Sequence, residues 1–259
     1  MHILQILVLG TVEGFTEFLP ISSTAHLMIA SRLMRLADQD FLKTFEIVIQ
    51  FGAILAVVWL YWPRLYALRN VWPKIFAAFI PTGVFGFVLY KTFKSFLGND
   101  TLAIWALGIG GALLILFEIF HKDRHPTEES LAELAKMSYA KAVAIGFAQS
   151  VAIIPGVSRS AATIVAGRAL GISRAAIVEF SFLLAVPTMF AASGYELLKS
   201  SPHLEIGQYG YLLIGLATAF ITAYFSVRWL LRYVQTHNFT SFGVYRVIVA
   251  FVFTLTPFL

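Results

Sequence analysis

Apolar residues fill most of this chain in long runs, and the polar interruptions between them are short. Six runs approach the roughly 20 apolar residues a membrane-spanning helix needs. They cover 44–62, 75–90, 101–120, 175–197, 209–231 and 241–259. The second is short and carries Pro81, Gly83 and Gly86, so the pattern defines its ends poorly. Two further apolar stretches are broken in the middle. Residues 3–34 are interrupted at Pro20-Ile21-Ser22-Ser23-Thr24, and residues 139–170 at Pro155-Gly156-Val157-Ser158-Arg159-Ser160. Proline stops a helix by removing a backbone donor, and the Ser and Thr that follow are good N-caps for a new one. Neither half of either stretch is long enough to span, so each is predicted to be a re-entrant helix-loop-helix hairpin. Broken backbone at that depth is tolerated only inside protein or against a wet cavity.

The elements then repeat. Residues 1–120 hold one hairpin and three spans, 121–140 form a polar linker, and 141–259 hold a second hairpin and three spans. Three is odd, so the second half enters the membrane upside down relative to the first. The predicted fold is an all-α polytopic membrane protein, six transmembrane helices plus two hairpins in an inverted-topology repeat, forming a single membrane domain. Interrupted helices at matching places in an inverted repeat point to a functional site near the midplane. The breaks also share a weak likeness, Pro20-x-x-Ser23 against Pro155-x-x-Ser158.

Composition supports lipid as the main solvent. Charged residues make up 13% of the chain, half the roughly 25% of a soluble domain. The net charge of +5 is spread over short loops with no basic run interleaved with aromatics, so nucleic acid is not an expected partner. With no cysteine, disulfides, thiolate metal sites and cysteine nucleophiles are excluded. The Met1–Gln5 start lacks a basic region and cleavage site and reads as mature sequence. Arg32, Arg35, Lys43, Lys91, Lys94 and Lys199 fall on the side of the N-terminus. Arg64, Arg69, Lys74, Lys122, Arg124, Lys136, Lys141, Arg168, Arg174, Arg228 and Arg232 fall on the other. The positive-inside rule therefore places both termini outside.

The first break carries two acids, Glu13 and Glu17, four apart and so on one helical face. About 16 Å of helix separates His2 from Glu13, roughly half of a ~30 Å hydrocarbon core. Acids at that depth are expensive and mark function. They are expected to share a cation or a proton, or to face a watery cleft; the plain alternative is solvation at a headgroup interface. Ser22, Ser23 and Thr24 are candidate phosphate contacts or mere caps. His26, one turn beyond Ser23, can reach its hydroxyl and is a candidate general acid/base.

The second break supplies the opposite sign. Arg159 sits in the first turn of a helix beside Ser158, Ser160 and Thr163, and a helix N-terminus with an arginine fork suits phosphate. Alternatively Arg159 only neutralises the acidic pair. Acids beside a bound diphosphate call for a bridging divalent cation, Mg²⁺ or Ca²⁺, on Glu13 and Glu17. The constellation therefore suggests metal-assisted phosphoryl hydrolysis. Gln149, Arg174 and Glu179 are expected to support the site from behind or to be plain helix contacts. Lys43 with Glu46 and Glu118 with Lys122 read as interfacial ion pairs, and Arg246 as a snorkelling residue.

At these residues the chain resembles the undecaprenyl-diphosphate phosphatase family, the bacitracin-resistance proteins of bacteria. The resemblance is carried by Glu13-Gly14-x-x-Glu17-Phe18-Leu19-Pro20-x-Ser22-Ser23-Thr24-x-His26 and by Pro155-Gly156-x-Ser158-Arg159-Ser160-x-Ala162-Thr163. It continues through Thr44-Phe45-Glu46, Ile49-Gln50, Ser173-Arg174 and Glu179-Phe180-Ser181-Phe182-Leu183-Leu184-Ala185-x-Pro187. Ala25 and Ala161 stand where glycine is expected, a change of backbone flexibility more than of chemistry. The resemblance implies hydrolysis of a C55 polyprenyl diphosphate lipid to the monophosphate, recycling the carrier of cell-wall synthesis and giving bacitracin resistance. It implies a multi-pass protein of the bacterial inner membrane, a site opening on the outer (periplasmic) face, and Mg²⁺ or Ca²⁺ dependence. It also implies acidic-motif roles for Glu13 and Glu17, a nucleophile and acid/base in Ser23 and His26, and a phosphate clamp in Arg159 with Ser158, Ser160 and Thr163. Whether Ser23 or water attacks phosphorus stays open, as does oligomeric state, a homodimer included.

Two rival readings remain. A secondary transporter or flippase of a phosphorylated polyprenyl lipid would share the inverted architecture. A type 2 phosphatidic acid phosphatase would need Lys-rich, Ser-Gly-His and second-His motifs, of which Ser23-Thr24-Ala25-His26 is only an echo, and the acidic pair is foreign to it.

Overall fold

The computed structural model describes residues 1–36, 40–64, 66–89, 99–121, 129–200 and 208–255, without the side chains of Asp40, Lys199 and Ser200. Among the described residues the chain forms eleven α-helices and no strand. In order they are α1 (Ile3–Thr16), α2 (Ser23–Leu33), α3 (Asp40–Tyr61), α4 (Trp72–Val88), α5 (Asp100–Phe120) and α6 (Ser130–Lys136). The second half adds α7 (Tyr139–Ser150), α8 (Arg159–Ala169), α9 (Arg174–Ser200), α10 (Gln208–Tyr233) and α11 (Thr240–Thr254). Phe41–Arg64, Asp100–Phe120, Arg174–Leu198 and Gln208–Tyr233 are long and apolar enough to cross a membrane. The runs at 75–90 and 241–259 are shorter than expected: α4 has 17 residues and α11 has 15, or about 26 and 23 Å. Residues 90 and 256–259 lie outside the described residues, as do Lys91, Lys94, Lys122, Arg124 and positions 122–128 of the linker.

Both broken stretches are helix, turn, helix. Ser22 (φ 71°) precedes α2 and Ser158 (φ 73°) precedes α8, each in the left-handed region that non-glycine residues seldom occupy. Arg35 (φ 52°) and Gly171 (φ 79°) close the two hairpins in the same region. His2 and Ser138 precede α1 and α7. Each pair is 136 positions apart (158 minus 22, for one), which sets the repeat's register. The likeness between Pro20-x-x-Ser23 and Pro155-x-x-Ser158 is therefore off by one residue. Ser22 is the counterpart of Ser158, Ser23 of Arg159, and Glu13 of Gln149.

The packing has the same two-fold pattern. α1 packs on α10 as α7 packs on α4, and α3 packs on α10 as α9 packs on α4. α3 with α9 and α5 with α11 meet across the axis. Two glycines in the same register allow close approaches. A Cβ at Gly10 would stand 2.9 Å from the Gly215 carbonyl, and one at Gly146 would overlap the Ala78 carbonyl.

The first turn is covered by protein: Phe18, Leu19 and Ile21 join the main apolar core with Phe180 and Phe182. Phe18 and Phe182 meet edge to face at 5.4 Å. Polar contacts gather at the two ends. Arg32 Nε donates to Asp100 at 2.6 Å at one end. At the other, Ser173 N–H donates to Glu133 at 2.8 Å and Lys74 to the Leu134 carbonyl at 3.0 Å. Arg174 there donates to Glu118 at 3.3 Å and to the His237 carbonyl at 2.9 Å. Glu118 thus pairs across helices and is almost fully buried; the expected pair with Lys122 lies outside the described residues.

Candidate active site

The end of α1 delivers the acids. Glu13 is fully buried, and neither of its carboxylate oxygens has a hydrogen-bond partner among the described residues. Glu17, Arg159 and Glu46 of α3 all act on it electrostatically. Glu17, one turn on, is bonded through both oxygens. Oε2 accepts from the Ser23 hydroxyl at the start of α2. Oε1 accepts from Arg159 Nη2 of α8 at 3.2 Å. One carboxylate therefore ties the first hairpin's hydroxyl to the second hairpin's cation.

Arg159 is held on two further sides. Its Nη1 donates to the Ser181 carbonyl of α9 at 3.0 Å, and its guanidinium lies 5.8 Å from the centre of the Phe18 ring. Thr163 donates to Ser181 Oγ at 2.7 Å. Ser160, fully buried, donates to the Leu19 carbonyl at 2.7 Å. Ser158 Oγ accepts from Ala161 N–H at 3.2 Å and lies 3.1 Å from Ser160 Oγ. Since Ser160's proton goes to Leu19, Ser158 donates in that contact. The hydroxyls expected to clamp phosphate at α8 are thus engaged in capping the helix, joining the two turns and bonding α9. α2 is different: Ser22, though buried, makes no side-chain cap, and Thr24 is exposed. The first N–H groups of α2 point beyond the helix end beside Ser23, the arrangement that favours an anion.

His26 does not meet Ser23. Its Nδ1 lies 2.7 Å from the Ser22 carbonyl and its Nε2 lies 2.8 Å from the Tyr245 hydroxyl of α11. A carbonyl can only accept, so Nδ1 carries the proton and, in the neutral ring, Nε2 accepts from Tyr245. The two rings stack with centres 5.5 Å apart. The helical spacing that put His26 within reach of Ser23 is overridden by Glu17, which has already taken that hydroxyl.

Gln149 and Glu179 lie apart from these contacts. Gln149 donates to Thr82 at 2.9 Å and Thr188 at 3.1 Å. It is the neutral counterpart of Glu13 in the second half, so the repeat carries its acids on one side only. Glu179 Oε2 and the Tyr61 hydroxyl are both buried without a hydrogen-bond partner among the described residues, and Glu179 acts electrostatically on Tyr61.

Tyr245, Ser181 and Arg246 are site neighbours that the hydropathy pattern misses. Arg246 is no snorkelling residue: it is fully buried and bonded to carbonyls of the two turns and of α5. The signal lay in an arginine within an apolar span opposite Gly108, Gly110 and Gly111.

The residues fit a divalent cation at Glu13 and Glu17. Buried carboxylate oxygens without donors, beside a second carboxylate, are the ligand set that hard cations take. Among the described residues no three His, Asp or Glu side chains converge on one point, so the remaining ligands would be substrate or water oxygens.

The family model described as bacitracin resistance protein BacA matches residues 6–252. Curated relatives named undecaprenyl-diphosphatase align along almost the whole chain. The protein of Wolinella succinogenes is 46% identical over 253 residues, covering 98% of this chain and 97% of its own. That of Aquifex aeolicus is 46% identical over 250 residues, 96% of each chain. That of Thermus thermophilus is 46% identical over 253 residues, 96% of this chain and 95% of its own.

Proposed function

Because the chain belongs to the bacitracin resistance protein BacA family, we propose that it is an integral membrane phosphatase hydrolysing undecaprenyl diphosphate to undecaprenyl phosphate and inorganic phosphate. That reaction recycles the lipid carrier for cell-wall synthesis, and lowering the diphosphate gives bacitracin resistance. The observation that carries the site assignment is Glu17, whose carboxylate accepts from Ser23 on one hairpin and Arg159 on the other.

In this reading the terminal phosphate of the lipid lies against the α2 N-terminus, with Arg159 balancing its charge. Ser23 Oγ attacks the terminal phosphorus while its proton passes to Glu17. The bond from phosphorus to the bridging oxygen breaks, and undecaprenyl phosphate leaves with the electron pair. Water then attacks the phosphoserine, the Ser23–phosphorus bond breaks, and Ser23 recovers its proton from Glu17. The water's proton goes to His26 Nε2, which turns from accepting a hydrogen bond at Tyr245 to donating one. Mg²⁺ or Ca²⁺ held by Glu13 and Glu17 would neutralise the paired carboxylates and polarise the phosphate oxygens. Every group named comes from one chain.

The basic-residue asymmetry supports an arrangement with both termini outside and the site opening on the periplasmic face. A polyprenyl-phosphate flippase would use the same inverted repeat, and one assay separates the two. Purified protein in detergent micelles, given undecaprenyl diphosphate and Mg²⁺ or Ca²⁺, is expected to release phosphate, and Ser23→Ala and Arg159→Ala to abolish release. Binding of the lipid with no release in either cation would sink the phosphatase. Trapping of labelled phosphate on wild type but not on Ser23→Ala would identify the attacking group; its absence in rapid-quench samples would favour water.

A further inference from the structure

Arg246 is the largest fully buried side chain in the described residues, and no carboxylate among them pairs with it. All of its partners are backbone carbonyls. Nη1 donates to Pro20 O at 3.2 Å, and Nη2 to Gly156 O at 3.0 Å and Val157 O at 3.1 Å. Nε donates to Leu107 O of α5 at 3.1 Å. Pro20, Gly156 and Val157 are the residues at which the two membrane helices are interrupted, where carbonyls have lost their helical donors. Apolar surroundings make such orphans costly. One guanidinium therefore satisfies broken backbone from both hairpins at once.

Its seat is shaped for it. A Cβ at Gly110 would overlap the guanidinium, and a Cβ at Gly111 would stand 2.7 Å from Arg246 Cβ. The rigid fork then sets how far the Pro20 turn stands from the Gly156-Val157 turn. Ser23 lies three residues after the first turn's Pro20 and Arg159 two after the second turn's Val157, so the same fork governs their separation.

We propose that Arg246 is a positioning residue that locks the two hairpin turns in register, so that Glu17 can span from Ser23 to Arg159. The proposal rests on the phosphatase reading for its kinetic consequence, but not for its geometric one. A loose register misplaces the reacting groups without removing any of them, and a displacement of about 1 Å costs on the order of a hundredfold in rate.

The test uses Arg246→Met, Arg246→Lys and Gly110→Ala, each purified in detergent. Arg246→Met is expected to lower kcat about a hundredfold with KM within about threefold of wild type. Arg246→Lys keeps the charge but not the planar fork, so it is expected to stay impaired; full recovery would mean that charge alone matters and would overturn the proposal. Gly110→Ala keeps the arginine and pushes its guanidinium aside, and is expected to reproduce the loss. Because the chain has no cysteine, Phe15→Cys and Val151→Cys, half-exposed positions beside the two turns, can carry a spin-label pair. Wild type is expected to give one narrow distance distribution, and the variants a shifted or broadened one. An unchanged distribution in a folded Arg246→Lys or Gly110→Ala protein would overturn the proposal even if Arg246→Met does not fold. If wild type releases no phosphate, the phosphatase reading fails while the label distances still decide the role of Arg246.

Discussion

Glu17→Gln removes one charge and almost no volume, and the site makes its outcome specific. Glu17 accepts two hydrogen bonds, from Ser23 through Oε2 and from Arg159 through Oε1. A glutamine offers only one acceptor oxygen. Arg159 can only donate, so it claims that oxygen and leaves the amide NH₂ facing Ser23 Oγ. The Ser23 contact then reverses, and the hydroxyl has no base for its proton. Losing a general base costs about 10²–10⁴ in rate, or about 2.7–5.4 kcal/mol of barrier at 1.36 kcal/mol per decade. Stability should move much less. The contact to Arg159 survives as a weaker neutral-acceptor bond, a loss of about 1 kcal/mol. The repulsion between Glu13 and Glu17 also disappears, which offsets part of it. The assay is kcat and KM for phosphate release in micelles, with the melting temperature measured alongside. A folded Glu17→Gln protein within about tenfold of the wild-type kcat, below the range of a lost general base, would refute the base role. Recovery of its activity as Mg²⁺ is raised would instead assign Glu17 to the cation and leave Ser23 without a base.

Ser160→Ala strips the Leu19 carbonyl of its donor in a fully buried place and should destabilise the protein by about 1–3 kcal/mol, read as a lowered melting temperature; an unchanged one would mean that the tie between the hairpins contributes nothing. Tyr245→Phe removes one of the two hydrogen bonds that hold the His26 ring, worth about 1 kcal/mol. A fall in kcat of roughly fivefold with a loss of stability of no more than about 1 kcal/mol is expected, and a loss of activity as complete as that of His26→Ala would contradict it. Tyr66 is exposed between α3 and α4, so Tyr66→Cys in this cysteine-free chain should react with an impermeant maleimide only after cells are opened. Labelling in intact cells would reverse the proposed orientation.

The hydropathy pattern was enough to find the four helices long enough to cross a membrane, two shorter apolar ones and the two broken stretches. Each of those features is local in the chain: a run of apolar residues, a proline that stops a helix, a hydroxyl that starts one. The same locality made Glu13, Glu17, Ser23, His26 and Arg159 stand out, because ionisable groups in apolar sequence are conspicuous before any fold is known. Their partners were another matter. Ser23 bonds Glu17 and leaves His26 to Tyr245, Glu118 pairs with Arg174 on another helix, Ser160 ties the two turns and Thr163 bonds Ser181 of α9. The repeat register also differed by one residue from the motif likeness, since backbone angles at Ser22 and Ser158 set it and the prolines do not. Arg246 shows the limit most clearly. In the sequence it is a lone cation near a helix end, indistinguishable from one that reaches for headgroups. Only the packing of α11 on α5 turns it inward, because orphaned carbonyls from two distant turns converge there and an arginine fork can satisfy them together.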